Sequence, residues 1–250
     1  QIYREIVEKA NTRAADIVAE AERKRDEREA RERARQRSDG LAVGVLLTLA
    51  GGFLESYSFI TRSEVLANCQ SGNLVLTAMF AVQGKWALAL RWFAPVVAFV
   101  IGVLLTEFVR DRMKAHGHVH WRQAALLVEI ALIFATGFMP EGDLNVTATV
   151  LIALACAIQA DAFKKLHGSP YATIMCTANL RSGLIHLYDW RGHGNDDAAI
   201  KARDYFLIIL CFMAGAILGT WSVWLLGVRA AWVCCALMLG AFIIMLDDRG

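Results

Sequence analysis

The sequence predicts an all-α, polytopic helical membrane protein. It should have six transmembrane helices in two inverted-topology repeats, each with a broken or re-entrant element, and a long charged N-terminal helix. Three observations carry this. Of 250 residues 56% are hydrophobic, with mean hydropathy +0.41, more apolar than an ordinary soluble domain. Charge is segregated: residues 1–39 hold 21 of the 50 charged side chains, which sets a boundary near Asp39-Gly40. Two apolar stretches interrupted by polar residues correspond to one another at an offset of 106.

Residues 1–39 form the first predicted unit, ahead of membrane repeats at 40–139 and 140–250. Residues 1–38 lack Gly and Pro and are rich in Ala, Glu and Arg, good helix formers. Tyr3, Val7, Ala10, Ala14, Ile17 and Ala21 make a heptad seam. Pairs such as Glu27 with Arg31 and Glu29 with Arg33 support an exposed helix roughly 55 Å long. It reads equally as a coiled coil for a partner, as a solvated extension that fixes orientation, or as a fused helical handle. The chain opens with a charged helix rather than a short basic n-region, so no signal peptide is expected.

A span needs about 20 apolar residues. Candidates are Leu41–Ile60, Leu88–Val109, Ala124–Met139, Val146–Phe163, Tyr205–Leu226 and Ala230–Leu246. Val65–Gly84 and Tyr171–Tyr188 are apolar but carry Asn68, Gln70, Ser71 and Asn73, or Thr173, Thr177, Asn179, Arg181 and Ser182. Counting these two as broken gives six spans; counting them as full spans gives eight. Arg33, Arg35 and Arg37 place the N-terminus in the cytoplasm. Six spans then put Arg110, Arg112, Lys114, Arg122, Lys164 and Lys165 inside, at the cost of Lys85 and Arg91 outside. Arg62 and Arg229 fall outside either way. The balance favours six, with both termini cytoplasmic.

In the repeat, Glu55 aligns with Asp161, Tyr57 with Phe163, Ser63 with Ser169, and Asn73-Leu74 with Asn179-Leu180. After a seven-residue insertion, Phe99 and Gly102 align with Phe212 and Gly215. Three spans plus a broken element per half means that the second half enters from the opposite side, as in many transporters and several channels. Gly51-Gly-Phe-Leu-Glu-Ser-Tyr-Ser-Phe followed by Asn68-Cys-Gln-Ser-Gly-Asn-Leu resembles the signature of the YoaK-like bacterial membrane proteins, a domain of unknown function. That family reads Gly-x-x-Asp-Ala-x-x-Phe, then Met-Thr-Gly-Asn. Gln159-Ala-Asp-Ala-Phe-Lys-Lys-Leu and Thr177-Ala-Asn-Leu resemble it in the second half. The likeness covers about residues 40–246. It departs at Glu55, at Cys-Gln-Ser-Gly-Asn, and at Thr-Ala-Asn. It implies a six-span, multi-pass protein of the bacterial inner membrane and supplies no substrate.

Ionisable and polar residues in a bilayer are costly and face a bundle interior or cavity. Glu55 and Asp161 lead the candidates: repeat-related carboxylates able to bind a cation or couple proton movement to transport. Ser71-Gly72-Asn73 and Thr177-Ala178-Asn179 come next. A Ser or Thr can cap a half-helix whose N-terminus faces a cavity, and Asn offers a donor and an acceptor; the bland alternative is Asn as interhelical glue. Arg181 can attract an anion, pair with Asp161, or snorkel. Glu129 is expected to pair across the bundle. Gln70 and Gln159 are cavity liners. Trp221, Trp224 and Trp232 read as an outer aromatic belt. Gly215 and Gly219 suit close helix packing or a homodimer.

The expectation is therefore a secondary transporter of a small polar or charged solute, coupled to a proton or ion through Glu55 or Asp161. The alternatives are a channel with Asn73 and Asn179 at its constriction, and a non-transporting scaffold or enzyme. Partners are the lipid bilayer and the solute or ion. Net charge +2 gives no case for nucleic acid. No Walker loop, dinucleotide fingerprint, His-Glu-x-x-His or Gly-x-Ser-x-Gly occurs, so neither an enzyme nor a cofactor is expected. Six cysteines lack CxxC spacing and read as small buried hydrophobes. His116-Gly-His118-Val-His120 has no further ligand type beside it, so no metal is expected.

Overall fold

A computed structural model describes residues 40–114, 121–166 and 169–246, together with Arg13 and Glu20. The predicted N-terminal helix and the His116–His120 stretch otherwise lie outside the described residues. The chain divides into two compact units, residues 1–36 and 37–250; the second carries the fold.

Eight α-helices follow from Gly40. They are α1 (Leu41–Thr61), α2 (Gln70–Val82), α3 (Trp86–Lys114), α4 (Trp121–Thr136), α5 (Asn145–Ala162), α6 (Cys176–His193), α7 (Asp196–Leu226) and α8 (Ala231–Leu246). A 3₁₀ turn, Gly227–Ala230, joins α7 to α8, and Lys165–Leu166 pairs antiparallel with Ser169–Pro170. Among the described residues, four helical stretches are long and apolar enough to cross a membrane: Leu41–Thr61, Trp86–Arg112, Asn145–Ala162, and Asp196–Leu246, which contains both α7 and α8. At 16 residues, α4 spans roughly 24 Å. The predicted spans fall on these helices within a few residues, except that α7 starts at Asp196, nine residues before Tyr205, capped by the Asn195 side chain accepting from the Ala198 N–H.

The hydrophobic core centres on α1. Val43, Leu47, Ala50, Phe53, Leu54 and Tyr57 are fully buried, against Ile152 and Cys156 of α5, Leu126 and Ile133 of α4, and Cys234 and Met238 of α8. Large apolar side chains face outward on α3 and α7, among them Leu104, Leu210, Trp221 and Trp224. An apolar exterior of this kind suits lipid. Helix α1 packs on α7 and α8, α5 on α3 and α4, α2 on α3, α6 on α7, and α4 touches α8.

Glycine sets the α1–α7 crossing. A Cβ on Gly52 would sit 2.0 Å from the Phe212 carbonyl oxygen, and one on Gly215 2.1 Å from that of Leu49. Gly219 meets Ser56 and Phe53 in the same way. The Gly215/Gly219 face is thus spent inside the chain, on α1.

The turn after α1 is held at several points. Ser63 and Glu64 take positive φ, 60° and 65°. Arg62 is the largest fully buried side chain among the described residues. Its guanidinium donates to the carbonyls of Thr136 (2.9 Å), Met139 (3.1 Å) and Pro140, to Asn145 Oδ1 and to the Tyr57 hydroxyl. It thereby satisfies carbonyls left open at the C-terminus of α4. Asn145 donates to the Ser63 hydroxyl, and Arg91 to the Ser63 carbonyl. On the sequence Arg62 decided nothing about topology; in the structure it ties the end of α1 to α4 and α5.

Candidate functional site

The site is built on one face of α1, where Leu47, Gly51 and Glu55 follow at four-residue spacing and so lie above one another. The chain leaves helical geometry after Thr61 and resumes it at Gln70. That break folds back on α1. The Asn68 N–H donates to Glu55 Oε2 (2.9 Å) and the Asn68 side chain to the Gly51 carbonyl (2.9 Å). Ser58 accepts from the Ala67 N–H. From α5, Gln159 donates to the Leu47 carbonyl (2.9 Å). From the second break, Thr173 lays its carbonyl against Gly51, where an added Cβ would stand 2.6 Å away. Cys156 of α5 and Cys176 at the start of α6 lie within electrostatic reach of Glu55. Elements from both halves therefore meet on this face of α1, which ends at the half-buried Glu55.

The buried polar atoms here are incompletely paired. Asn68 Oδ1, Asn73 Oδ1, Gln159 Oε1 and Thr173 Oγ1 have no hydrogen-bond partner, and all four residues are almost wholly buried. An unmade hydrogen bond at such a position costs about 1–3 kcal/mol. Amide orientation follows from the network: each amide nitrogen donates to a main-chain carbonyl, that of Gly51, Leu66 or Leu47. The oxygens are therefore the ends left over.

Asn73 and Asn179 play matching parts. Each donates to the carbonyl seven residues back, Leu66 or Ala172. Asn179 also accepts from the Ala172 N–H (3.0 Å), so both its polar atoms are used. Gln70 donates to the Ala67 carbonyl and accepts from Asn73.

The expected caps are corrected. Helix α2 begins at Gln70 after Cys69 and α6 at Cys176 after Met175, neither with a side-chain cap. Ser71 and Thr177 stand exposed inside the first turns, because each helix starts two residues earlier than a Ser or Thr cap requires.

The two carboxylates have different surroundings. Asp161 pairs with Lys164 (2.9 Å) and faces Arg110 (3.8 Å); Lys164 and Arg110 both reach Glu107 as well. Arg181 is exposed and is not the partner of Asp161. The cross-bundle partner expected for Glu129 is also corrected. Glu129 is fully buried, and neither carboxylate oxygen has a hydrogen-bond partner. Cys156, Cys234 and Cys235 are in its electrostatic reach, but Cys234 and Cys235 turn their thiols to the carbonyls of Ala50 and Ile130. All six cysteines are free. Among the described residues, no group of three or more His, Cys, Asp or Glu can hold a metal ion.

Residues 43–244, carrying both breaks and every candidate side chain above, match a family described as "Protein of unknown function (DUF1275)". The chain belongs to the DUF1275 family. This agrees with the YoaK-like resemblance, since YoaK is a member. No curated protein and no solved structure matches the chain. In this DUF1275 chain, sequence reasoning passed over Asn68 and Thr173 as site residues. The available signal was their position: polar residues inside apolar stretches, immediately before the helices that resume after each break.

Proposed function

We propose that this DUF1275 protein is a secondary transporter of a small polar or charged solute in the bacterial inner membrane, coupled to a proton or ion through Glu55. The supporting observation is four buried, unpartnered polar atoms, three of them on residues that contact the Leu47–Glu55 face of α1 (Asn68, Gln159 and Thr173) and the fourth on Asn73. A scaffold has no use for such atoms, whereas a transporter needs polar groups free to receive a solute.

The architecture in this reading is six spans, α1, α3, α4, α5, α7 and α8, with α2 and α6 as re-entrant elements. Exchanging α1 with α5, α2 with α6, α3 with α7 and α4 with α8 supports two inverted repeats. The α1–α7 contact becomes α5–α3, α2–α3 becomes α6–α7, α4–α5 becomes α8–α1, and α4–α8 maps onto itself. The seven-residue tethers of Asn73 and Asn179 obey the same exchange. Binding at the interface of two such halves suits alternating access. The channel reading is weaker, because Asn179 spends both polar atoms on Ala172.

The test is electrogenic flux. The full chain in proteoliposomes on a solid-supported membrane would be offered small cations, anions, amino acids and neutral solutes, with and without a pH gradient. A saturable current that falls at least about tenfold in Glu55→Gln, with the variant folded, is the expected result. Solute flux unchanged in Glu55→Gln would sink the coupling role, and silence across the panel in folded protein would sink transport.

A further inference from the structure

We infer that the ligand held at Glu55 is a small monovalent cation, coordinated by oxygen alone; this rests on the transport reading of the same site.

The argument is chemical. The unpaired atoms on residues that contact the Leu47–Glu55 face of α1 are amide and hydroxyl oxygens, Asn68 Oδ1, Gln159 Oε1 and Thr173 Oγ1, and Asn73 Oδ1, five residues beyond Asn68, is a further one. The amides cannot present their nitrogens instead without giving up bonds to the carbonyls of Gly51, Leu66 and Leu47. The Thr173 hydroxyl can accept as well as donate. With the Glu55 carboxylate, whose Oε2 already accepts the Asn68 N–H, the set is acceptors throughout. Acceptors attract a cation or a strong donor and repel an anion. The buried guanidinium of Arg62 keeps its charge but directs its terminal nitrogens at carbonyls, Asn145 and Tyr57 at the turn after α1, and so presents them to no anion beside Glu55.

Charge sets the valence. Glu55 is the one carboxylate among these side chains, and a monovalent cation leaves it neutral. A divalent ion would leave a net positive charge in a low-dielectric interior, where uncompensated charge is costly. Sodium, potassium and ammonium share this oxygen-seeking chemistry, and the experiment separates them.

The assay is thermal unfolding of the full chain in detergent, titrated with NaCl, KCl or NH₄Cl against choline chloride at constant ionic strength. Sodium gluconate controls for the anion. One of the three small cations should stabilise the protein saturably over choline, with gluconate and chloride equivalent. Glu55→Gln should abolish the shift. Thr173→Val is the fold-safe companion, because the hydroxyl it removes has no partner. It should unfold at or above the wild-type temperature while weakening the cation about tenfold. Equal behaviour of all cations and choline in folded wild type would overturn the inference, as would an undiminished shift in both variants. Flux without cation binding or cation dependence would overturn it too, and would leave the transport reading standing. Cation binding without any flux would uphold the site and remove the transport reading.

Discussion

Glu55 and Asp161 occupy equivalent places in the two halves, yet their surroundings differ. Glu55 accepts the main-chain N–H of Asn68, whose side-chain oxygen is unpaired. Asp161 is enclosed by Lys164 and Arg110, with Glu107 completing a four-charge cluster. In the proposed transport reading one carboxylate stays open to a solute, and the other fastens the ends of α3 and α5 with ion pairs. The two Asn residues divide in the same direction, since Asn73 keeps a free oxygen and Asn179 does not.

The largest effect that tests this asymmetry lies at the helix crossings. Gly215→Ala would drive a Cβ to 2.1 Å from the Leu49 carbonyl oxygen, part of a rigid helix. The expected loss is about 3 kcal/mol, toward the upper end for overpacking. The corresponding glycine, Gly102, meets the Ala157 Cβ at 2.6 Å and the Leu154 carbonyl oxygen at 3.1 Å. Gly102→Ala should cost less, about 1–2 kcal/mol, because its nearest backbone atom stands 3.1 Å away and not 2.1 Å. Reversible unfolding in detergent and denaturant measures both. Equal losses would mean that the α1–α7 crossing is no tighter than α3–α5.

Next come the paired asparagines. Asn179→Ala strands both the N–H and the carbonyl of Ala172 and should cost about 2 kcal/mol. Asn73→Ala loses its bonds to Leu66 and Gln70 but also removes an unpaired oxygen, so about 1 kcal/mol is expected. Flux should rank the other way, with Asn73→Ala the more damaging. An Asn179 variant as stable as the Asn73 variant would undo the division of roles.

Asp161→Asn is expected to cost under about 1 kcal/mol, since its partner Lys164 is half exposed and solvent weakens the pair. The loss should shrink further in high salt. Flux that falls as steeply in Asp161→Asn as in Glu55→Gln would restore Asp161 as a coupling group.

Much of the fold was legible because lipid imposes a simple code. Apolar runs of span length gave the long helices, and polar interruptions at Asn68–Asn73 and Thr173–Asn179 gave the breaks. The offset of 106 aligned Asn73 with Asn179, and both proved to tether the break before them. What remained hidden depends on geometry across the chain. Alignment made Asp161 a twin of Glu55, because a one-dimensional match cannot see Arg110 arriving from α3. Arg62 decided nothing in the sequence, because most of its distant acceptors are main-chain carbonyls some 74 to 78 residues away, which leave no mark in side-chain identity. The Gly-x-x-x-Gly motif at Gly215 and Gly219 announced a close contact but not with which helix.

The smallest effect concerns the two breaks. After α5 the chain continues into a short antiparallel pair, Lys165–Leu166 with Ser169–Pro170. After α1 it turns through Ser63 and Glu64, both left-handed and neither glycine. A non-glycine residue there costs roughly 1–2 kcal/mol, held in place by Arg62, Arg91 and Asn145. Glu64→Gly relieves that strain but returns about 1 kcal/mol of chain entropy to the unfolded state. A net gain of about half a kcal/mol follows, read as a small rise in unfolding temperature. The substitution leaves the Arg62 bonds intact, so it changes backbone strain alone. If unfolding temperature rises while flux falls, the strain at this turn takes part in the working of the first half. If both hold steady or rise together, the strain is structural, and the functional difference between the halves rests with Glu55 and the oxygens around it.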